Sequence, residues 1–194
     1  CMGMLVDEGK VSWDDRVIQY LPEFQLYDPY VTRELTIRDL FLHNSGVGNT
    51  DFLWGFMHIS SEEVLDKMRM VPPSYSFRSS FIYQNIFYLA AGQVIEKISG
   101  QPWETFIQQR IFTPLEMTNT FPTLKSITNT NKTKPHLKTD GEMMVIEDMS
   151  ADEIGPAGSV WSSIDDISKW TLCMLDSGKY KGGRRVKPGT WKEM

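Results

Sequence analysis

The sequence predicts a mostly helical chain with a few short strands. Three observations carry this. Apolar residues recur at three- and four-residue spacing in several segments, the longest being the one that contains Ile86, Leu89, Ala90, Val94 and Ile98. Glycine and proline punctuate those segments at short intervals, among them Gly9, Pro22, Gly46, Pro72, Gly100 and Pro114. The stretch PHLKTDGEMMVI reads as a hairpin turning at Asp140–Gly141.

Taken in order, Met2, Leu5 and Val6 read as the last turns of a helix that stops at Gly9. Ser12 is a plausible N-cap for a short helix ending before Pro22, and YDPY is read as a turn. Thr36, with Asp39 three residues on, caps a helix that buries Ile37, Leu40 and Phe41 and breaks at Asn44–Gly46. Ser60 and Glu63 form a capping box, and Pro72 and Pro73 end the helix that follows. The long amphipathic segment takes Gly100 as its C-terminal stop. Pro102 sits where a new helix starts, with Trp103, Phe106, Ile107 and Ile111 on one face, closed by Pro114.

Residues 118–152 are rich in Thr, Asn and Lys and lack a sustained period, so they read as a long loop carrying the hairpin. GPAGSVWSS reads as a short extended segment. Ser163 with Asp166 caps a last long helix expected to bury Ile164, Ile167, Thr171, Met174 and Leu175 and to end at Gly178.

Length and a hydrophobic content of 41% allow one real core, and no internal repeat divides the 194 residues. A net charge of -5 argues against nucleic-acid or anionic-membrane partners, which favour basic patches. The one basic cluster, GKYKGGRRVK, is read as a solvated turn. Two cysteines, Cys1 and Cys173, make no disulfide framework. No apolar run could cross a bilayer, and no signal peptide is visible. The chain opens on CMGMLVDEGK and closes on KPGTWKEM, both of which read as interrupted helices, so a partial domain spanning 1–194 is expected.

Several chemistries are unsupported. There is no G-x-S-x-G elbow, no P-loop, no G-x-G-x-x-G and no H-E-x-x-H. His43, His58 and His136 are far apart and read as caps or surface residues, and no cofactor is expected. No serine has a lysine three residues after it, so the S-x-x-K pairing that lets an amine deprotonate a hydroxyl is absent, as is K-T-G. That leaves Tyr83 and Asn85, two residues apart where the long helix begins. One reading is bland: a tyrosine packed on the core and an asparagine capping a helix. The other makes them half of an active site.

Four strings bear on that choice: LVDEGKVSWDDRVIQYLPEF, LTIRDLFLHNSGVG, FIYQNIFYLAAGQVIEKISGQPWETFIQQRIFTPLEM and GPAGSVWSSIDDISKW. In this order they resemble the serine β-lactamase-like family of class C β-lactamases, penicillin-binding proteins, D-aminopeptidases and related esterases. The resemblance covers nearly the whole chain. It implies an α+β parent, an antiparallel sheet flanked by helices, of which this chain is mostly the helical part.

In that family an S-x-x-K helix, a Y-x-N segment and a K-T-G-like or H-x-G strand meet at the site. Tyr83-Gln84-Asn85 matches the second element. By resemblance, Tyr83 shuttles protons between nucleophile and leaving group. A phenol ordinarily titrates near about 10, so a lysine cation would have to polarise it. Asn85 would hold the substrate's acyl-side amide and the lysine. The first and third elements, and with them the oxyanion hole, are expected outside the chain, before Cys1 and after Met194.

The isolated chain is therefore expected to be inactive, to expose apolar surface and to be marginal in stability. His43 and Ser45, in HNSG, could shape the rim, and Trp54 and Trp161 could line the pocket or the core. The substrate class implied is a β-lactam, an ester or a D-amino-acid peptide, and the location implied is periplasmic or exported. Oligomeric state is left open. Two rivals remain: a catalytically dead family member serving as a binding or scaffold protein, and a helical interaction module that shares only local patterns.

Overall fold

Helix α1 (Met2–Asp7) opens the computed structural model, which describes residues 1–57 and 59–194. His58 lies outside the described residues. Gly9 stops α1 as expected: at φ +69° it lets its own N–H reach Val6 O and the Lys10 N–H reach Leu5 O, the paired bonds of a Schellman ending.

The next two expectations fail locally. Ser12 accepts from the Asp14 N–H and its own N–H donates to Asp15, but this closes a turn, and only Val17–Gln19 coil, as a 3₁₀ turn. Arg16 pairs instead with Thr36 in a β-bridge, which draws the backbone out of helix. The supposed YDPY turn starts helix α2 (Pro29–Glu34): Asp28 caps the Tyr30 N–H at 2.8 Å and Pro29 sits at the first helical position.

Thr36 and Asp39 exchange hydrogen bonds at the start of the turn that becomes α3 (Asp39–Leu42), burying Ile37 and Leu40, with Phe41 half-buried. Helix α4 (Phe52–Gly55) is an unforeseen single turn. The expected capping box of Ser60 and Glu63 opens α5 (Ser61–Lys67).

Helix α6 (Ile86–Ser99) is the axis of the structure. Ile86, Leu89, Ala90 and Val94 are buried as expected, and so are Phe87, Ala91 and Ile95, while Ile98 is half-buried. Burial on more than one side follows from its neighbours, for α1, α3 and α5 pack on it, joined by α7 (Trp103–Ile107). Gly100, at φ +71°, ends α6. After α7 the helix widens: the Thr113 N–H reaches Gln108 O five residues back. Trp103, Phe106 and Ile111 are buried there.

The hairpin forms at the expected place. Strands β1 (His136–Thr139) and β2 (Glu142–Val145) pair antiparallel, with Asp140 and Gly141 both at positive φ, and every strand residue is exposed. GPAG is not extended but forms one turn, α8 (Gly155–Gly158), packed on α6, and the extended backbone begins after it, where Trp161 pairs with Phe121. The α6–α8 contact needs a glycine: a Cβ on Gly92 would stand 2.1 Å from Pro156 Cγ. Gly92→Ala is therefore expected to destabilise the protein by about 1–3 kcal/mol in urea unfolding, as overpacking does.

Helix α9 (Ile164–Leu175) is capped by Ser163 as expected but faces the other way. Ile164 and Leu175 are each 78% exposed, Ile167 and Thr171 are also exposed, Met174 is half-buried, and the inward positions are Asp166 and Cys173. The Asp166 carboxylate explains the rotation, because it accepts from the Asn119 N–H, the Thr120 hydroxyl and Lys169 Nζ. Those partners fix the polar side inward, and the apolar stripe is left open. The basic cluster does turn, through a two-residue hairpin of β3 (Lys179–Tyr180) and β4 (Gly183–Arg184). Helix α10 (Pro188–Glu193) then returns to α1, where Lys187 Nζ donates to Asp7 O.

Candidate active site

The Tyr83–Asn85 turn is built around the residue between them. Gln84 has no exposed surface, and every polar group of its side chain is used. Its Nε2 donates to Gly48 O at 2.6 Å and to Thr50 Oγ1 at 3.0 Å, while its Oε1 accepts the Ile86 N–H at 3.2 Å. A buried amide satisfied on all sides holds its backbone in one conformation. Gln84 thus does the capping work at the start of α6 that the bland reading gave to Asn85, whose side chain caps nothing.

Asn85 turns aside instead and donates from Nδ2 to Asp51 Oδ1 at 3.0 Å. Tyr83 is 53% exposed, so it is not a core tyrosine either. Neither residue does its bland job. The two sit on either side of a fixed, buried glutamine.

Tyr83 rests on His43, with ring centroids 4.7 Å apart, and His43 in turn stacks on Tyr88 at 5.5 Å. Tyr88 meets Phe41 edge-on, and Phe41 meets Trp13 in the same way. His43 holds a left-handed backbone at φ +55° that ends α3 and turns its ring toward the site. Its Nδ1 accepts the Gln84 N–H at 3.2 Å and its carbonyl accepts the Ile82 N–H at 2.8 Å. Burial lowers the His43 pKa. Both facts keep the imidazole neutral with its proton on Nε2, because a second ring proton would confront the Gln84 N–H. The half-buried His43 ring thus supports Tyr83.

Ser45 is buried and accepts the Val47 N–H, a turn-closing role. Trp54 donates from Nε1 to Asp51 Oδ1 at 2.9 Å, one link from Asn85. Trp161 stands on the extended strip beside Phe121 with Lys132 over its ring. Gln84, Asp51 and Asn49 were missed by sequence reasoning. Gln84 bonds to Gly48 and Thr50, and Asp51 to Asn85, across 34 to 36 residues, while Asn49 bonds to Asp51 locally within the polar run NTD.

Among the described residues no group of His, Cys, Asp and Glu could hold a metal ion, and no helix is long and apolar enough to cross a membrane. The turn before α6 displays one half-exposed phenol, Tyr83, and one hydrogen-bonded amide, Asn85. These can move a proton and orient a carbonyl or amide.

A helical layer of this shape belongs to the β-lactamase/transpeptidase-like fold. The D-stereospecific amidohydrolase from Streptomyces sp. superposes with a TM-score of 0.81 at 22% identity, covering 100% of this chain and 60% of that one. The octameric penicillin-binding protein homologue from Pyrococcus abyssi gives 0.78 at 20% identity, over 100% of this chain and 45% of its own. The Beta-lactamase family model matches residues 1–193, and the chain belongs to that family.

Among curated relatives, an unguisins hydrolase of Aspergillus violaceofuscus is 27% identical over 193 residues, covering 90% of this chain and 34% of the relative. Penicillin-binding protein 4 of Amycolatopsis lactamdurans is 28% identical over 194 residues, 94% of this chain and 49% of the relative. The chain thus spans between a third and a half of the length of these two relatives.

Proposed function

We propose that this chain carries the Y-x-N wall of a serine hydrolase that works through an acyl-enzyme on an amide or ester. Tyr83 is the proton shuttle: it takes the proton of the attacking serine and returns it to the leaving group. Asn85 orients the acyl side of the substrate. The serine and its lysine partner belong to an S-x-x-K helix on the N-terminal side of Cys1, and the opposite wall to a strand beyond Met194.

One observation carries the reading. A half-exposed tyrosine and a sideways asparagine flank a fully buried, fully bonded glutamine, so Gln84 fixes the turn while the Tyr83 side chain stays half-exposed and the Asn85 amide turns to Asp51 instead of capping the helix. Family membership supplies the context.

The test uses the full gene product. Incubated with nitrocefin, a D-amino-acid amide and a short p-nitrophenyl ester, it is expected to turn over at least one of them. Rapid quenching and mass spectrometry should find an acyl adduct on a serine N-terminal to Cys1. A protein that forms no adduct and turns over none of the three is a binding or scaffold member of the family, and the hydrolase reading is then lost.

A further inference from the structure

Asn85 is useful for orienting a substrate only if its amide faces one way. An amide turned by 180° exchanges its acceptor for a donor, and the backbone does not choose between the two. Here a neighbour chooses. Asp51 Oδ1 accepts from Asn85 Nδ2 at 3.0 Å and from Trp54 Nε1 at 2.9 Å, and Asp51 Oδ2 accepts from Asn49 Nδ2 at 3.0 Å. Three donors therefore surround the Asp51 carboxylate.

Asp51 is itself fixed. Its N–H donates to Asn49 Oδ1 at 3.0 Å and its carbonyl accepts the Gly55 N–H in α4. Burial opposes its charge, but the hydrogen bonds from Asn49, Trp54 and Asn85 prevail and hold its pKa below the usual carboxylate range. An ionised carboxylate only accepts. Turning the Asn85 amide over would set its oxygen against Asp51 Oδ1, acceptor to acceptor.

We propose that Asp51 is a positioning residue that locks the Asn85 amide with Nδ2 toward Asp51, leaving Oδ1 and one N–H for substrate. The inference rests on the reading of Asn85 as the substrate-orienting amide. It assigns a role to a residue that neither touches substrate nor lies near Asn85 in sequence. Asp51 works only through its charge state and its hydrogen bond, so a neutral amide at position 51 undoes it. Asparagine there offers both a donor and an acceptor, and either orientation of Asn85 is then satisfied.

The experiment is a double-mutant cycle on the full gene product, reading kcat and KM with a substrate that has an acyl-side amide and with a simple ester that lacks one. Asp51→Asn is expected to lower kcat/KM on the first substrate about tenfold, the scale of one charge-assisted hydrogen bond, and to affect the simple ester far less. In an Asn85→Ala background the same change should cost less than about twofold, because the group it positions is gone. Asp51→Ala is the second variant and must show the same dependence on Asn85.

If Asp51→Asn costs as much with Asn85 absent as with it present, or costs both substrates equally, Asp51 is merely structural and the inference fails. A loss in Asn85→Ala with none in either Asp51 variant sinks this inference alone. No loss in Asn85→Ala sinks the orienting role of Asn85 and this inference with it.

Discussion

Tyr83→Phe should lower kcat/KM of the full gene product by about 10²–10⁴, the range for removing a general acid–base group, and leave its stability unchanged. The two halves of this expectation come from different facts. The Tyr83 hydroxyl makes no hydrogen bond to any other described residue, and the side chain is 53% exposed. What holds Tyr83 is its ring on His43, and phenylalanine keeps the ring. A surface change of this kind falls within about 0.5 kcal/mol. Any large loss is therefore a loss of chemistry.

Tyr88 supplies the control. It stacks on the same imidazole and is half-buried, with its hydroxyl donating to Phe41 O at 3.4 Å. Tyr88→Phe should leave turnover unchanged to within a factor of about two, since one long neutral hydrogen bond is worth little. Equal losses in the two variants would mean that the Tyr83 hydroxyl has no role of its own, and an unaltered Tyr83→Phe enzyme would remove Tyr83 from the mechanism. Melting curves and kinetics on the same samples separate these outcomes.

What could be read in the sequence was what the chain decides within about one turn. The Ser60–Glu63 box, the Gly9 and Gly100 stops and the Asp140–Gly141 hairpin each involve residues a few positions apart, and each stands where it was expected. Asp28–Pro29 is just as local, a cap followed by a proline at the first helical position, and it starts a helix where YDPY reads as a turn. Errors of another kind came where burial depends on what packs opposite. Periodicity marks the apolar stripe of α9 correctly but cannot say that Asp166, bonded to Asn119 and Thr120, would claim the inner side.

The candidate site divides in the same way. Tyr83 and Asn85 were found because a local Y-x-N string was set beside its family context. Gln84 is the spacer in that string, and its burial is visible only once Gly48 and Thr50 are folded against it. Asp51 reaches Asn85 across 34 residues, and the polar run around Asp51 says nothing of that partner. A contact between two loops is a property of the fold that brings them together.

Removing the Arg78 side chain should destabilise the protein by about 3 kcal/mol at neutral pH, and the penalty should shrink as the pH falls. Arg78 forks onto the Asp39 carboxylate, Nε to Oδ1 at 3.0 Å and Nη2 to Oδ2 at 2.6 Å. The Asp39 side chain is 3% exposed and that of Arg78 is 48% exposed. Breaking a buried pair costs about 3–5 kcal/mol because one charge is stranded, and the solvated guanidinium places this pair at the low end. The stranded group is Asp39, which keeps only the Thr36 N–H and hydroxyl.

The pH dependence follows from what Arg78 does to that carboxylate. Burial alone raises the Asp39 pKa, but the hydrogen bonds from Arg78 and Thr36 overcome it and hold the pKa below the usual carboxylate range. A depressed carboxylate stabilises the fold above its unfolded pKa of about 3.9, and that stabilisation is lost as the pH falls through the folded value. In Arg78→Met the largest opposing interaction is gone, so burial dominates and Asp39 takes up a proton more readily. The variant sheds its stranded charge first, while the wild type keeps its ion pair until the pH falls below the usual carboxylate range, so the stability gap narrows on acidification and closes only below about pH 4.

Urea unfolding at several pH values measures this directly, and a penalty independent of pH would mean that Arg78 acts by packing on Phe77, whose ring lies 4.4 Å below it, rather than by charge. The pair also bears on the site. The Arg78 N–H donates to Asn44 O and the Ile82 N–H to His43 O, so this clamp fastens the segment that delivers Tyr83 to the loop that supports it. Loss of the clamp should therefore lower turnover as well as stability, and the Asp39→Asn variant, which keeps the shape but not the charge, should show both losses in milder form.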